Sequence, residues 1–324
     1  MKPISIAIMA LALITSGCVL DFSPPPIATA GQNQPGGNTP IIVMATPTLT
    51  APPPPPTAVP ALSTSLLRNS KLQFTSADGT LRTAAFQDGT FQQGTDPAQP
   101  GYVQMLMGEK IAFGDLNSDG VEDAAITIVE NFGGSGSFVS LLAITNQNGI
   151  PTAAASTIVD DRPMLEELSI QNGKIYLAAT IHGIQDPMCC PTLQTKRFYA
   201  LAANNLVMLK FSSRLPEGTE RAIQIDSPVH GDGFSQPFVI KGSVSVSPFE
   251  NSLACIIHPE GSLEEIEKSA INVNAEEIGG PGTFELLIDP AKINLKGNIR
   301  IEIADFSLAD GTYIASNSVT VQLK

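Results

Sequence analysis

The sequence predicts a mostly β protein: two β-rich domains that follow a long proline-rich segment. Three observations predict it. Asp-Gly and Asn-Gly dipeptides recur between short apolar runs, and these residues adopt φ > 0 at little cost in hairpin turns. Several runs alternate apolar and polar residues with period two, the pattern of a half-buried strand. No window of about 12 residues or more keeps a firm 3.6-residue period, so long amphipathic helices are not expected.

The chain has 324 residues and a formal net charge of −13. The acidity is shared: residues 63–211 carry 9 Lys/Arg against 14 Asp/Glu, and residues 212–324 carry 8 against 16. A nucleic-acid partner would require a basic stripe to displace counterions, and no Lys/Arg run exists, so that class of partner is excluded.

Residues 1–17 read as a signal peptide. Lys2 supplies the positive start, and Ile4 to Ile14 form an apolar run too short to span a bilayer. Ile14-Thr15-Ser16-Gly17-Cys18 then resembles a bacterial lipobox, with Thr15 where Leu is commonest. That resemblance implies lipidation of Cys18 and a mature protein anchored on the extracytoplasmic face of the cell membrane. The alternative is an ordinary signal peptide cleaved near Gly17. Several acyl chains would hold the protein stably, where one chain binds only marginally.

Residues 18–62 hold Cys18 and a proline-rich, nearly uncharged stretch with Pro24 to Pro26 and Pro52 to Pro56. Too little apolar surface is available there to offset chain entropy, so a disordered tether is expected. Polyproline II extension would give it a reach of roughly 120 Å.

The first domain is placed at residues 63–211, with a short helix near Ser63 to Arg68. Turns are expected at Asp78-Gly79, Asp88-Gly89, Asn148-Gly149 and Asn172-Gly173. Strands are expected at Ala124 to Val129, Phe138 to Ile144 and Lys174 to Ile181. The sharpest motif is Asp115-Leu116-Asn117-Ser118-Asp119-Gly120-Val121-Glu122-Asp123. Oxygens at alternate positions can converge on a hard cation, with the Val121 carbonyl supplying one of them and Gly120 allowing the turn. The candidate calcium ligands are therefore Asp115, Asn117, Asp119, Val121 and Asp123. Ile126 stands where an EF-hand would place a bidentate Glu. Residues 113–125 resemble the calcium loop of integrin-type FG-GAP repeats. Only one copy is present, so a propeller is not expected, and the resemblance implies the ligand positions alone. A metal-free acidic hairpin loop is the alternative.

Cys189 and Cys190 are adjacent, in Asp186-Pro187-Met188-Cys189-Cys190-Pro191. Outside the cytoplasm they would meet an oxidising environment. A structural vicinal disulfide is expected, with two free thiols as the alternative. A zinc site would require more ligands than His182 offers nearby, and a redox motif would show C-x-x-C.

Residues 212–220 are polar and read as a linker. The second domain, 221–324, shows about seven short strands, at 222–226, 237–246, 252–258, 270–274, 283–288, 298–304 and 313–323. That count and spacing predict an immunoglobulin-like sandwich without the paired Cys and core Trp of antibody domains. Cys255 is expected in its core. Ile225-Asp226-Ser227-Pro228, Gln236 to Gly242, Pro248-Phe249-Glu250-Asn251, Gly282-Thr283-Phe284 and Asp310-Gly311 follow one another in an order that resembles the immunoglobulin-like domain of bacterial spore germination proteins. The resemblance covers nearly all of 221–324 and implies an extracytoplasmic accessory or interaction module.

His182, His230 and His258 fall in no metal-ligand spacing, and no nucleophile elbow or phosphate-cradling loop occurs. Asp160-Asp161 and Glu166-Glu167 read as solvated charges, and Gly133 to Gly136 as a flexible hairpin. The expected function is a non-catalytic binding or scaffold module of the cell envelope, in a sporulation or germination setting. Its partners would be the membrane, through the lipid, and an envelope protein or polysaccharide. A calcium-dependent adhesin or glycan-binding protein is the first alternative, and a cell-wall hydrolase a distant one.

Overall fold

The structure, a computed structural model, describes residues 59–324. The expected signal peptide, Cys18 and the expected tether through residue 58 lie outside the described residues. Residues 59–62, at the end of the expected tether, already pack on the body. Leu62 is buried, and the Pro60 carbonyl accepts a hydrogen bond from Asn146 Nδ2 at 2.9 Å.

The short helix α1 (Thr64–Arg68) starts at Ser63, whose hydroxyl accepts the Leu66 N–H and so satisfies an otherwise free donor of the first turn. Strands β1 (Lys71–Thr75) and β2 (Leu81–Ala85) form a separate antiparallel hairpin. A five-stranded antiparallel sheet follows, in sequence order: β3 (Thr90–Gln93), β4 (Val103–Gly114), β5 (Asp123–Asn131), β6 (Phe138–Gln147) and β7 (Ile150–Asp161). In the Asn148-Gly149 turn between β6 and β7 both residues have positive φ, which matches the right-handed twist of the strands they join.

Strands β5 and β6 are buried on both faces. Ala124, Ile126, Ile128, Leu142 and Ile144 meet α1 and the β1–β2 hairpin. Ala125, Leu141 and Ala143 face the other way, into a second core. A continuous apolar run, in place of alternation, is what a doubly covered strand requires. The second core is closed by the meander β8 (Met164–Gln171), β9 (Lys174–Ile181), β10 (Leu193–Ala202) and β11 (Asn205–Arg214), through Ile175, Leu177, Tyr199 and Leu206. Asn172-Gly173, again at positive φ, joins β8 to β9.

Residues 212–220, expected to be a linker, contain the end of β11, a turn and Glu220 of β12 (Glu220–Arg221). Ser212 and Ser213 are buried, and Ser212 Oγ donates to Glu220 Oε1 at 2.7 Å. Polar residues mark this stretch because their buried hydroxyls find acceptors within the sheet, the Glu220 carboxylate for Ser212 and the Ile314 carbonyl for Ser213.

The remaining strands form two facing layers. One holds β13 (Ile223–Ser227), β15 (Phe238–Val244) and β18 (Gly282–Ile288). The other holds β16 (Ser252–Pro259), β19 (Gly297–Phe306) and β20 (Tyr313–Leu323), with the two-residue β14 (Gly233–Phe234) parallel to the end of β20. Strand β17 (Glu267–Ala275) serves both: Glu267–Asn272 pairs with β16, and Val273–Ala275 pairs with β18. Alternate residues face inward. Phe238, Ile240 and Val244 meet Ile299, Ile301, Ile303, Val319 and Val321 across a single core that also contains Cys255. This is a sandwich-like arrangement of antiparallel sheets.

The two halves share a sheet. Strand β11 pairs with β20 at Lys210↔Asn317 and Phe211↔Ser316, so β16-β19-β20-β11-β10-β9-β8 runs without a break. Ser213 Oγ donates to the Ile314 carbonyl, and Ser318 Oγ to that of Leu209. One compact unit embraces both halves.

Candidate functional sites: the acidic loop and the double-cysteine loop

Residues Asp115 to Glu122 connect β4 to β5. Alternating acceptors fold this loop onto itself. The Asp115 carboxylate accepts N–H groups of Asn117, Ser118 and Gly120, at 3.2, 2.6 and 2.9 Å. Asn117 Oδ1 accepts the Asp119 N–H, and Asp119 Oδ1 accepts that of Val121. Gly120 and Ser118 have positive φ. These turns direct backbone N–H groups inward, and those of Gly120, then Ser118 and Asn117, hold the Asp115 carboxyl below its ordinary pKa.

Asp123 behaves differently. It is fully buried, and its two oxygens accept the N–H groups of Leu116 at 3.0 Å and Asn146 at 2.8 Å. Burial raises its pKa, and the charges of Asp119 and Asp115 add to the rise. The structure therefore places Asp115, Asn117, Asp119 and Val121 in one loop, and Asp123, at the start of β5, clamps that loop to β6. Among the described residues no three His, Cys, Asp or Glu side chains gather into a metal-holding group. A cation here would use oxygen lone pairs that the backbone leaves open. The Asp123 bond to Asn146 had no sequence signal, since it spans 23 positions.

Cys189 and Cys190 are bonded, Sγ to Sγ, in the β9–β10 connection. Asp186 staples the base of that loop: its carboxylate accepts the N–H groups of Gly183 and Thr192, each at 2.7 Å, and the Thr192 hydroxyl. Ile184, Met188 and both cysteines are exposed at the tip. His182 is tied back to Asp160, which accepts its N–H at 2.6 Å and faces Nδ1 at 2.9 Å. Burial works against protonation of His182, but the Asp160 carboxylate outweighs it and raises the pKa. Asp161 is also engaged. It accepts the Ser137 N–H and pairs with Arg162. Asp160 and Asp161, read as solvated charges, are thus local clamps, because their carboxylates accept the N–H groups of His182 and Ser137 in neighbouring segments. Asn131, at the end of β5, donates to the carbonyls of Gly134 and Gly136 and so ties the glycine-rich hairpin down.

The other two histidines differ from each other. His258 is buried, with Nδ1 2.9 Å from the Glu264 carbonyl and Nε2 3.2 Å from Glu302 Oε2. His230 is exposed. Cys255 is buried in the sandwich core, and burial pushes its thiol up to about 12.

Fold and sites together define a β-rich protein of antiparallel, sandwich-like sheets that carries an acidic turn loop and a vicinal disulfide. No protein-family model matches the chain, and no curated protein matches it.

Proposed function

We propose that this chain is a lipid-anchored extracytoplasmic protein whose β body serves as a non-catalytic binding or scaffold module of the cell envelope. The observation that carries this reading is Ile14-Thr15-Ser16-Gly17-Cys18 at the end of an apolar run, followed at once by a proline-rich stretch. The side-chain chemistry of the body agrees with it. His182 and His258 are tied to carboxylates that fasten neighbouring elements, a role in holding the fold. The two facing layers of 223–323 suit the immunoglobulin-like resemblance, and with it an accessory role of the germination type.

Growth of the producing cell with labelled palmitate tests the anchor. Label should enter the wild-type protein, be lost in Cys18→Ser, and follow the membrane fraction. A protein that takes up no label and fractionates with the cytosol overturns the proposal.

The acidic loop favours a second reading, calcium-dependent adhesion to a glycan. Calcium would be held by Asp115, Asn117, Asp119, the Val121 carbonyl and Asp123. Polysaccharide binding abolished by EDTA and by Asp119→Asn would support it, and binding insensitive to both would remove it.

A further inference from the structure

A cleft of ≈ 470 Å³ lies between the β10–β11 hairpin and the outer face of β19–β20, within the size range of small-molecule sites, about 300–1,000 Å³. Its lining combines two chemistries. Leu201, Leu209 and Val229 form apolar walls, and Val229 is 61% exposed. Lys174, His230 and Arg300 line it as well. Lys174 opens β9 and is exposed at the rim, as is His230.

Arg300 is the unusual member. Its side chain is only 5% exposed. Nη1 donates to Glu302 Oε2 at 2.8 Å, while Nε is buried without a hydrogen-bond partner. An unmet buried donor costs about 1–3 kcal/mol, more when charged; Nε is closed off from the cleft, so what Arg300 brings to the lining is the guanidinium charge and its remaining N–H groups. Glu302 already gives Arg300 one counter-charge, so the basic groups of the lining without a carboxylate partner among the described residues are Lys174 and His230. Glu260 is the one carboxylate on the lining, and it already accepts from Asn298 Nδ2 at 2.8 Å. The hydroxyls of Ser318 and Thr320 border the same space. Three side chains able to carry positive charge thus converge in a protein whose net charge is −13.

We propose that this cleft binds a small amphiphilic anion, with a carboxylate or phosphate head held by Arg300, Lys174 and His230 and an apolar tail against Leu201, Leu209 and Val229. A planar guanidinium matches either head group through paired N–H donors. The tail displaces water from surface that the sheet leaves uncovered. The inference is independent of the anchor at Cys18.

Isothermal titration of the full chain in phosphatidylcholine nanodiscs, with empty discs as the blank, tests it. The probes are hexanoate, hexyl phosphate, hexanol and inorganic phosphate. Saturable binding of hexanoate or hexyl phosphate is expected, at least about tenfold tighter than hexanol and inorganic phosphate. The tighter of the two anions identifies the head, a carboxylate as in fatty acids or a phosphate as in lipid headgroups. The double variant Lys174→Ala/His230→Ala, changed at two exposed positions, should weaken the anion about tenfold with an unchanged melting temperature. Val229→Asp should do the same by placing negative charge at the mouth. Hexanol binding as tightly as hexanoate, unaltered affinity in both variants, or no saturable binding of either anion would each overturn the proposal.

Discussion

Arg300 and Glu302 stand on the same face of β19, and Nη1 of the arginine donates to Oε2 of the glutamate at 2.8 Å. His258 reaches the same oxygen from β16, and all three side chains are buried. Burial alone would raise the pKa of Glu302, but hydrogen bonds from His258 and Arg300, with the arginine charge, hold it below the usual carboxylate range. A lowered carboxylate pKa contributes stability that is complete above the unfolded value and is lost as pH falls through the folded one. Glu302→Gln should therefore lower stability at pH 7 by about 3–5 kcal/mol, because it leaves a buried guanidinium without its counter-charge. Urea melts should show the gap between variant and wild type narrowing below about pH 4. Equal midpoints at pH 7 would contradict the assignment.

Asp305, on the same strand, should act with opposite sign. Burial raises its pKa to about 6, against a smaller opposing effect of Arg221. The folded chain then holds a proton that the unfolded chain releases, so stability falls as pH rises from 3.8 to about 6. Asp305→Asn mimics the protonated form and should melt above wild type at pH 7.5, with the advantage fading as pH is lowered through that window. Scanning calorimetry at a series of pH values measures this. A pH-independent difference would remove Asp305 as the titrating group.

The Asp123 clamp separates fold from ligand. Asp123→Ala leaves the Leu116 and Asn146 N–H groups unmet, and should cost about 1–3 kcal/mol in calcium-free buffer. Asp115→Asn/Asp119→Asn relieves like-charge repulsion, and should leave calcium-free stability the same or slightly higher. If the loop takes calcium, a concentration ten times the dissociation constant adds about 1.4 kcal/mol. That gain should occur in wild type and vanish in the double variant. Thermal melts in chelator and in millimolar calcium distinguish the two effects, and identical melts in wild type would dispose of the calcium reading.

Thiol labelling can count the cysteines by state. The sequence has four. Cys255 is buried, with its thiol pushed up to about 12, and Cys189 is bonded to Cys190. If Cys18 is acylated as proposed, native protein should take up no maleimide. Denatured protein should take one, at Cys255, and denatured, reduced protein three. Intact mass measures each count, and two labels on native protein would mean that the double-cysteine loop holds free thiols.

Close packing of the sandwich layer is testable at Gly242. It lies in β15 opposite Phe284 of β18, and a β-carbon there would collide with the Phe284 ring and the Gln224 carbonyl. Gly242→Ala should cost about 1–3 kcal/mol through overpacking, read from denaturant midpoints. Gly79→Ala makes a control of a different kind. Open space surrounds that position, so any cost there comes from its positive φ alone.

Much of the local architecture was legible in single residues and their neighbours. Asn148-Gly149 and Asn172-Gly173 turn where expected because few other residues accept positive φ. The seven strands read in 221–324 match β13 and β15 to β20, because side chains alternate across a strand and one face is buried. The Asp115 loop was also visible as a run of side-chain acceptors at alternate positions. Tertiary structure alone decided the rest. Ser212 and Ser213 read as linker residues, yet they continue β11, which pairs with β20 just before them, at Lys210 and Phe211, and makes one sheet of two halves. Nothing local marks Asp123 for Asn146, His258 for Glu302, or the cleft between β10–β11 and β19–β20. Such pairings bring together residues tens to a hundred positions apart. They are selected by the summed burial of whole faces, and no short stretch of sequence carries that sum.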